Sequence, residues 1–383
     1  MKIVIAPDSF KGSLDAIEVA DAIAQGVKMI WDQAEIVKVP LADGGEGTVV
    51  ALVTAEDAEY AQQKVAGPDG IEVTAQYGIS NDGTQAVVEM AAASGMQYID
   101  ENSADPFQYN TYGTGQLIRS ILDQGIKDII IGLGGSATND AGLGMAAALG
   151  AKFLDSRHDE LDPLPVNMQD IQYVDLSGLE PRLSDVKLRI AADVRNTLTG
   201  DSGATFTFGR QKGLKTYNQM LRMELGVKHY AEKLVNATGK DERETAGAGA
   251  AGGLGFGLLS LFPSSEIVSG GKLVIQAVGF EKVVQDANLL FVGEGSMDSQ
   301  TSYGKSPLVA ARTAKQVNPN ITVVGLAGHI GEIDRLYEEG IDAVFSVVPG
   351  LTTKEQAMTH AAHIVTATAR DVTRLVKAII ERN

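Results

Sequence analysis

Residues 128–150 read Asp-Ile-Ile-Ile-Gly-Leu-Gly-Gly-Ser-Ala-Thr-Asn-Asp-Ala-Gly-Leu-Gly-Met-Ala-Ala-Ala-Leu-Gly. The apolar run Ile129–Ile131 predicts a strand. Glycines then stop it, a polar loop passes through Ser136, Thr138, Asn139 and Asp140, and an alanine-rich pattern predicts a helix. Glycines let backbone N–H groups approach a ligand closely, and a helix N-terminus adds partial positive charge. The loop therefore suits phosphate or carboxylate oxygens, although glycine loops also serve packing alone.

The same grammar recurs along the chain. Lys2–Ala6 runs into Pro7-Asp8-Ser9-Phe10-Lys11-Gly12-Ser13, and Ser13 is placed to cap a helix with apolar Ile17, Ala20, Ile23, Val27 and Ile30. Ile36–Val39 ends in Pro40-Leu41-Ala42-Asp43-Gly44-Gly45-Glu46-Gly47-Thr48. Leu289–Val292 ends in the predicted loop Gly293-Glu294-Gly295-Ser296-Met297-Asp298, and a helix opens with Ser306 at the cap and Pro307 after it. Ile321–Leu326 and Ala343–Val347 repeat the strand signal, and Asp371–Arg382 predicts a closing helix. Alternating strands and helices imply parallel strands covered on both faces, with ligands beyond their carboxyl ends.

The middle differs. Glu72–Tyr77 and Gln85–Met90 flank a Ser-Asn-Asp-Gly turn, which predicts an antiparallel hairpin. The expected fold is α/β: a discontinuous Rossmann-like, doubly wound domain (1–65 and 283–383) plus an inserted α/β domain (66–282) with a mixed sheet. Two sequential domains divided near residue 200 are the alternative.

Composition removes whole classes of function. With 32 Lys plus Arg against 49 Asp plus Glu, the net charge of −17 repels nucleic acid and acidic membranes. Any anion site must then be locally positive or carry a metal ion. The absence of cysteine excludes disulfides, zinc–thiolate sites and cysteine nucleophiles. The start of the chain predicts no signal peptide and no run spans a bilayer, so the expected location is the cytoplasm. The five histidines share no metal-site spacing.

Three chemistries compete for the loops. Gly132-Leu-Gly134-Gly-Ser-Ala137 fits a dinucleotide fingerprint, with Asp155 roughly 20 residues beyond Gly134 as the ribose acid of an NAD-dependent oxidoreductase. Phosphoryl transfer needs a phosphate cradle, carboxylates for a divalent cation, cations and a base. Gly134, Gly135, Ser136 and Thr138 offer the cradle. Asp43, Glu46, Asp193, Glu294 and Asp298 offer acids, and Lys11, Arg195, Lys212 and Lys305 offer positive charge. Gly304-Lys305-Ser306 matches the end of a P-loop, but position 299 is Ser where its first glycine belongs. A non-catalytic binder of small acids would use the same loops. Against all three, Asp and Ser in such loops often only cap helices or close turns.

Taken in order, Ala6-Pro-Asp-Ser-Phe-Lys-Gly-Ser13, Pro40-Leu-Ala-Asp-Gly-Gly-Glu-Gly-Thr48, Glu89-Met-Ala-Ala-Ala-Ser-Gly95 and Gly113-Thr-Gly115 carry a resemblance. It continues through Gly132–Asp140, Gly247-Ala-Gly-Ala-Ala-Gly-Gly253 and Phe345-Ser-Val347. Together they resemble the bacterial glycerate kinase family. The resemblance implies two α/β domains with the active site in the cleft between them, ATP and Mg²⁺, and D-glycerate phosphorylated to 2-phosphoglycerate. A kinase for another small hydroxy acid is the alternative within that resemblance.

With glycerate as acceptor, chemistry suggests roles. Lys11 and Ser9 would hold the carboxylate, and Asp8 or Asp43 the hydroxyls, with Gly44, Gly45, Glu46 and Arg195 in the same substrate set. Gly134, Gly135, Ser136, Ala137, Thr138, Asn139 and Lys305 would take the nucleotide phosphates. Asp193 is the candidate base, with Lys11 as a second catalytic group, and Asp298 or Glu294 would hold Mg²⁺. Four positions depart from the family pattern: Ser296 where Arg is usual, Thr197 and Arg210 where Pro is usual, and Tyr303 where His is frequent. Arg195 or Arg210 compensating for the guanidinium absent at 296 is one expectation.

Overall fold

The computed structural model describes residues 1–42, 49, 53, 58–100, 105–298, 301 and 305–382. Its strands in chain order begin with β1 (Lys2–Pro7), β2 (Glu35–Lys38), β3 (Glu59–Ala66), β4 (Glu72–Ile79), β5 (Gln85–Glu89), β6 (Asp128–Gly132) and β7 (Lys152–Leu154). They continue with β8 (Tyr173–Asp175), β9 (Lys187–Ala191), β10 (Ser264–Val268), β11 (Leu289–Met297), β12 (Thr322–Ile330) and β13 (Ala343–Ser346). The chain divides into two compact units: Met1–Asp43, Val50–Ala55 and Ser269–Asn383 form the first, Gly44–Val49 and Glu56–Val268 the second. These limits differ from divisions at 65 and 283. Strand β3 pairs antiparallel with β4 and so joins the second unit. The helices Gly270–Ala277 and Phe280–Val284 lean on the helix Ser306–Val317 and so join the first.

In the first unit all strands are parallel, in the spatial order β13-β12-β11-β1-β2. The direction of winding reverses between β1 and β11, the position where doubly wound sheets bind ligands. Ile3–Ala6 and Leu289–Val292 are wholly buried, as central parallel strands covered on both faces must be. Ile3, Ile5, Leu289 and Phe291 share a core with Val19, Ile23, Val365 and Ala369. Each buried Val, Leu, Ile or Phe among them contributes roughly 1.5–3 kcal/mol. Those last four residues lie on the helices Ala16–Lys28 and Ala361–Ile380, from opposite ends of the chain. Gly26 permits their contact, because a Cβ there would stand 2.4 Å from the Thr366 carbonyl oxygen.

Local chemistry departs from expectation at two caps. Asp15, not Ser13, caps the first helix, accepting from the Glu18 N–H while Glu18 answers on the Asp15 N–H. Starting at Ala16 turns Ile17 to solvent. Lys305 occupies the cap of the helix Ser306–Val317, and the Ser306 hydroxyl instead donates to the Ala42 carbonyl at 2.8 Å.

The second unit contains a six-stranded mixed sheet, β10-β9-β6-β5-β4-β3, parallel from β10 to β5 and antiparallel beyond. The predicted hairpin is β4–β5. The run at 152–154 is not a further parallel strand, since β7 pairs antiparallel with β8 in a separate ribbon. No described helix is long and apolar enough to cross a membrane.

Candidate active site

The second unit brings acids and a glycine loop to one end of its sheet. Strands β5, β6 and β9 are parallel neighbours, with Glu89 opposite Gly132 and Gly132 opposite Ala191. Glu89, the loop 133–142 and the segment Asp193–Asn196 therefore leave the sheet side by side. Glu89 accepts the Val49 N–H at 3.0 Å. Asp193 is half-buried two residues past β9, and Arg195 is exposed. The Asn196 carbonyl accepts from the N–H groups of Gly247 and Gly249, which anchors this segment to the Gly/Ala run.

The loop itself is over-determined. Ala137 N–H donates to the Ser94 carbonyl and Met96 N–H to the Gly135 carbonyl, which pins both sides of Ser136. Asp140 is fully buried and accepts from Thr111 N–H, Thr111 Oγ1, Gly142 N–H and Gly144 N–H at 2.7–3.2 Å. Burial pushes its carboxyl up from the ordinary range while these four bonds oppose that rise. Gly252, at φ 66°, lies so close that a Cβ would meet the Thr138 carbonyl oxygen at 2.0 Å. Here the charge-free run 247–253 supplies the close backbone approach that the loop needs.

Of the proposed cradle, Gly134 and Gly135 reach solvent while Ala137, Thr138 and Asn139 are wholly buried. Asn139 Nδ2 donates to Thr205 Oγ1 at 3.0 Å. Among the described residues, Thr138 Oγ1 and Asn139 Oδ1 are buried with no hydrogen-bond partner, a cost that native loops seldom carry without a functional reason. Lys212 reaches in from a distant turn: its Nζ donates to Ser136 Oγ at 2.6 Å and to the Thr138 carbonyl at 2.7 Å. Beside it opens a cavity of about 330 Å³, lined by Met96, Ile99 and the stretch Arg210–Gly213 with Lys215.

This geometry removes the dinucleotide reading. A fingerprint glycine must open its helix within the motif, yet the helix starts only at Leu143. Asp155 sits beyond β7, outside the sheet, where it accepts from the N–H groups of Arg157 and Asp159.

In the first unit the candidate residues cluster at the switch between β1 and β11. Asp8 is buried, its N–H donating to the Gly293 carbonyl, and its carboxylate accepts the Ser9 N–H at 2.6 Å. The segment 293–297 is strand rather than loop, so Glu294 and Ser296 project from β11. Glu294 is buried and accepts from Lys305 Nζ at 3.0 Å and Thr301 Oγ1 at 2.6 Å. The proposed metal ligand and the proposed phosphate cation are thus an ion pair. Asp298 accepts from the Ser296 hydroxyl at 3.2 Å, and its N–H donates to Thr301 Oγ1. Thr301, with no role in the sequence reading, joins both acids. Among the described residues no three acidic or imidazole groups gather around one point. Lys11 lines a cavity of about 350 Å³ at the carboxyl ends of the strands, with Phe10, Gly295, His329 and Thr353. Asp43, Gly44, Gly45, Glu46 and Tyr303 lie outside the described residues.

Sequence reasoning passed over two groups in assigning roles. Lys212 counted only as nearby charge, because its partners lie 74 and 76 residues away. Glu89 was read as part of a motif; its position at a strand end beside the loop was the available signal.

The family model described as the glycerate kinase family matches residues 3–377. The chain is 46% identical over 378 residues to the glycerate kinase of Bacillus subtilis (strain 168), covering 98% of each chain. It is 42% identical over 373 residues to the glycerate 2-kinase of Escherichia coli (strain K12), covering 97% of each. A crystal structure assigned to glycerate kinase 2 of Salmonella typhimurium LT2 matches with a TM-score of 0.82 and 43% identity, over 100% of this chain and 99% of that one.

Proposed function

The chain belongs to the glycerate kinase family, and from that premise we propose that it transfers the γ-phosphoryl group of ATP to the 2-hydroxyl of D-glycerate, in the cytoplasm. It is a small-molecule kinase with an alcohol as acceptor. The observation that carries the mechanism is the gathering of Asp193 and the 134–139 loop at the carboxyl ends of neighbouring parallel strands β9 and β6.

In this reading Asp193 takes the proton of the acceptor hydroxyl. That oxygen forms its bond to the γ-phosphorus as the bond to the β–γ bridging oxygen breaks, and ADP leaves with the electron pair. Lys11 and Ser9 hold the glycerate carboxylate, and Asp8 or Asp43 orients its hydroxyls, with Gly44, Gly45, Glu46 and Arg195 as further substrate-binding candidates. The glycine N–H groups of the loop take phosphate oxygens. Asp298 and Glu294 present the hard carboxylate oxygens that suit Mg²⁺, and an ion held there would offset phosphate charge. Either acid is a candidate ligand; Glu294 also serves Lys305 and Thr301, and Asp298 also accepts from Ser296.

The test is acceptor-dependent ADP formation. ADP should accumulate from ATP and Mg²⁺ only when D-glycerate is present. Equal ADP formation without acceptor, or none with it, contradicts the reading.

A further inference from the structure

Lys212 is 3% exposed, in a protein that otherwise keeps its lysines near water. An ammonium group has three donors. Two are engaged by Ser136 Oγ and the Thr138 carbonyl. Its side chain therefore ends inside the glycine loop, not merely near it, and Lys212 also lines the 330 Å³ cavity. Two exposed cations from the same turn, Arg210 and Lys215, line that cavity as well. Three cationic side chains around one concavity stand out on a chain of net charge −17. Structural packing alone would be served better by an apolar side chain, because burying an ammonium is costly. The unpartnered Thr138 Oγ1 and Asn139 Oδ1 show the same loop holding polar atoms at a cost.

We propose that Lys212, with Arg210 and Lys215, binds the polyphosphate of the nucleotide, Lys212 linking the 134–139 loop to the cationic turn. The inference rests on the nucleotide reading of that loop. It makes Lys212 a cation of that loop, while Lys305 pairs with Glu294 in the first unit. Burial pushes the Lys212 ammonium down to about 7, with the Asp140 carboxylate opposing. Asp140 faces it from the loop, and Arg210 and Lys215 flank it on its own turn. An incoming polyphosphate favours the charged form, so binding at pH 8 should draw a proton onto Lys212.

The experiment is calorimetric titration of the full-length protein with ATP and with AMP. The Lys212→Met variant should raise the Kd for ATP by at least about thirtyfold, as loss of a buried charged donor does, and change AMP binding far less. Wild type at pH 8 should take up protons on binding ATP, read from the dependence of binding heat on buffer ionisation. The Lys212→Arg variant should bind ATP without that uptake. An ATP affinity within threefold of wild type in folded Lys212→Met overturns the inference. Gly134→Asp separates the two ideas. If it also leaves ATP affinity intact, the nucleotide reading of the loop falls too; if it abolishes binding, the inference about Lys212 alone has failed. Should Lys212→Met not fold, the double variant Arg210→Ala, Lys215→Ala changes only exposed residues. It should weaken ATP roughly tenfold, and unchanged affinity overturns the proposal.

Discussion

Burial pushes the Lys212 ammonium down to about 7, from the roughly 10.4 of a lysine in an unfolded chain. Between those values the unfolded chain binds the extra proton, so this residue makes stability rise with pH across the window. Urea unfolding at pH 7 and pH 9.5 should show wild type gaining on Lys212→Met as pH increases. A difference that does not change with pH contradicts the buried, depressed amine. Asp193 supports a kinetic prediction: Asp193→Asn keeps the shape and removes the proposed base, and turnover should fall at least about a hundredfold with ATP binding retained. Near-normal turnover would remove Asp193 from the chemistry. Asp140 plays a different part. Asp140→Ala would leave the Thr111, Gly142 and Gly144 donors unpaired in the interior, and should cost roughly 3–5 kcal/mol in urea unfolding. A loss below about 1 kcal/mol would show that these donors find water.

At the scale of elements, the loop 133–142 depends on its contact with the run 247–253. Gly252→Ala would place a methyl group against the Thr138 carbonyl at a backbone φ of 66°. Strain and overpacking together should cost at least roughly 3 kcal/mol and weaken ATP binding with it. A stable variant with normal ATP affinity would uncouple the two segments. Strand and helix identities were legible where the pattern was long. Ile3–Ala6, Ile129–Ile131 and Ile321–Leu326 are short, largely apolar runs that read as strands, and each is an interior parallel strand of its sheet. The hairpin β4–β5 was equally plain from its turn residues. Boundaries were harder to read. Gly293 and Gly295 look like loop residues, yet β11 continues through them to Met297 because β12 pairs with it from Leu289 to Glu294 and again at Ser296 and Met297. Ser13 and Asp15 are both good caps, and only the reciprocal bond to Glu18 decides between them.

At the scale of the whole molecule, the ordered motifs made the family legible, since they run from residue 6 to residue 347 and the family model spans 3–377. What each side chain does was less legible, because the site is assembled from residues far apart in sequence. Lys212 meets Ser136 across 76 positions, and Glu294 meets Lys305 as an ion pair that spacing alone does not reveal. A chain of net charge −17 that handles anionic substrates must concentrate its cations. In the second unit Arg210, Lys212 and Lys215 line one cavity. The most direct test of the proposed activity is the identity of the product. Wild-type protein is given ATP, Mg²⁺ and D-glycerate, and the product is passed to enolase while dehydration is followed by absorbance. Consumption by enolase, equal in amount to the ADP formed, is the result predicted for phosphorylation at the 2-hydroxyl. ADP formed with D-glycerate but a product that enolase leaves untouched until a mutase is added would place the phosphoryl group on the 3-hydroxyl and contradict transfer to the 2-hydroxyl.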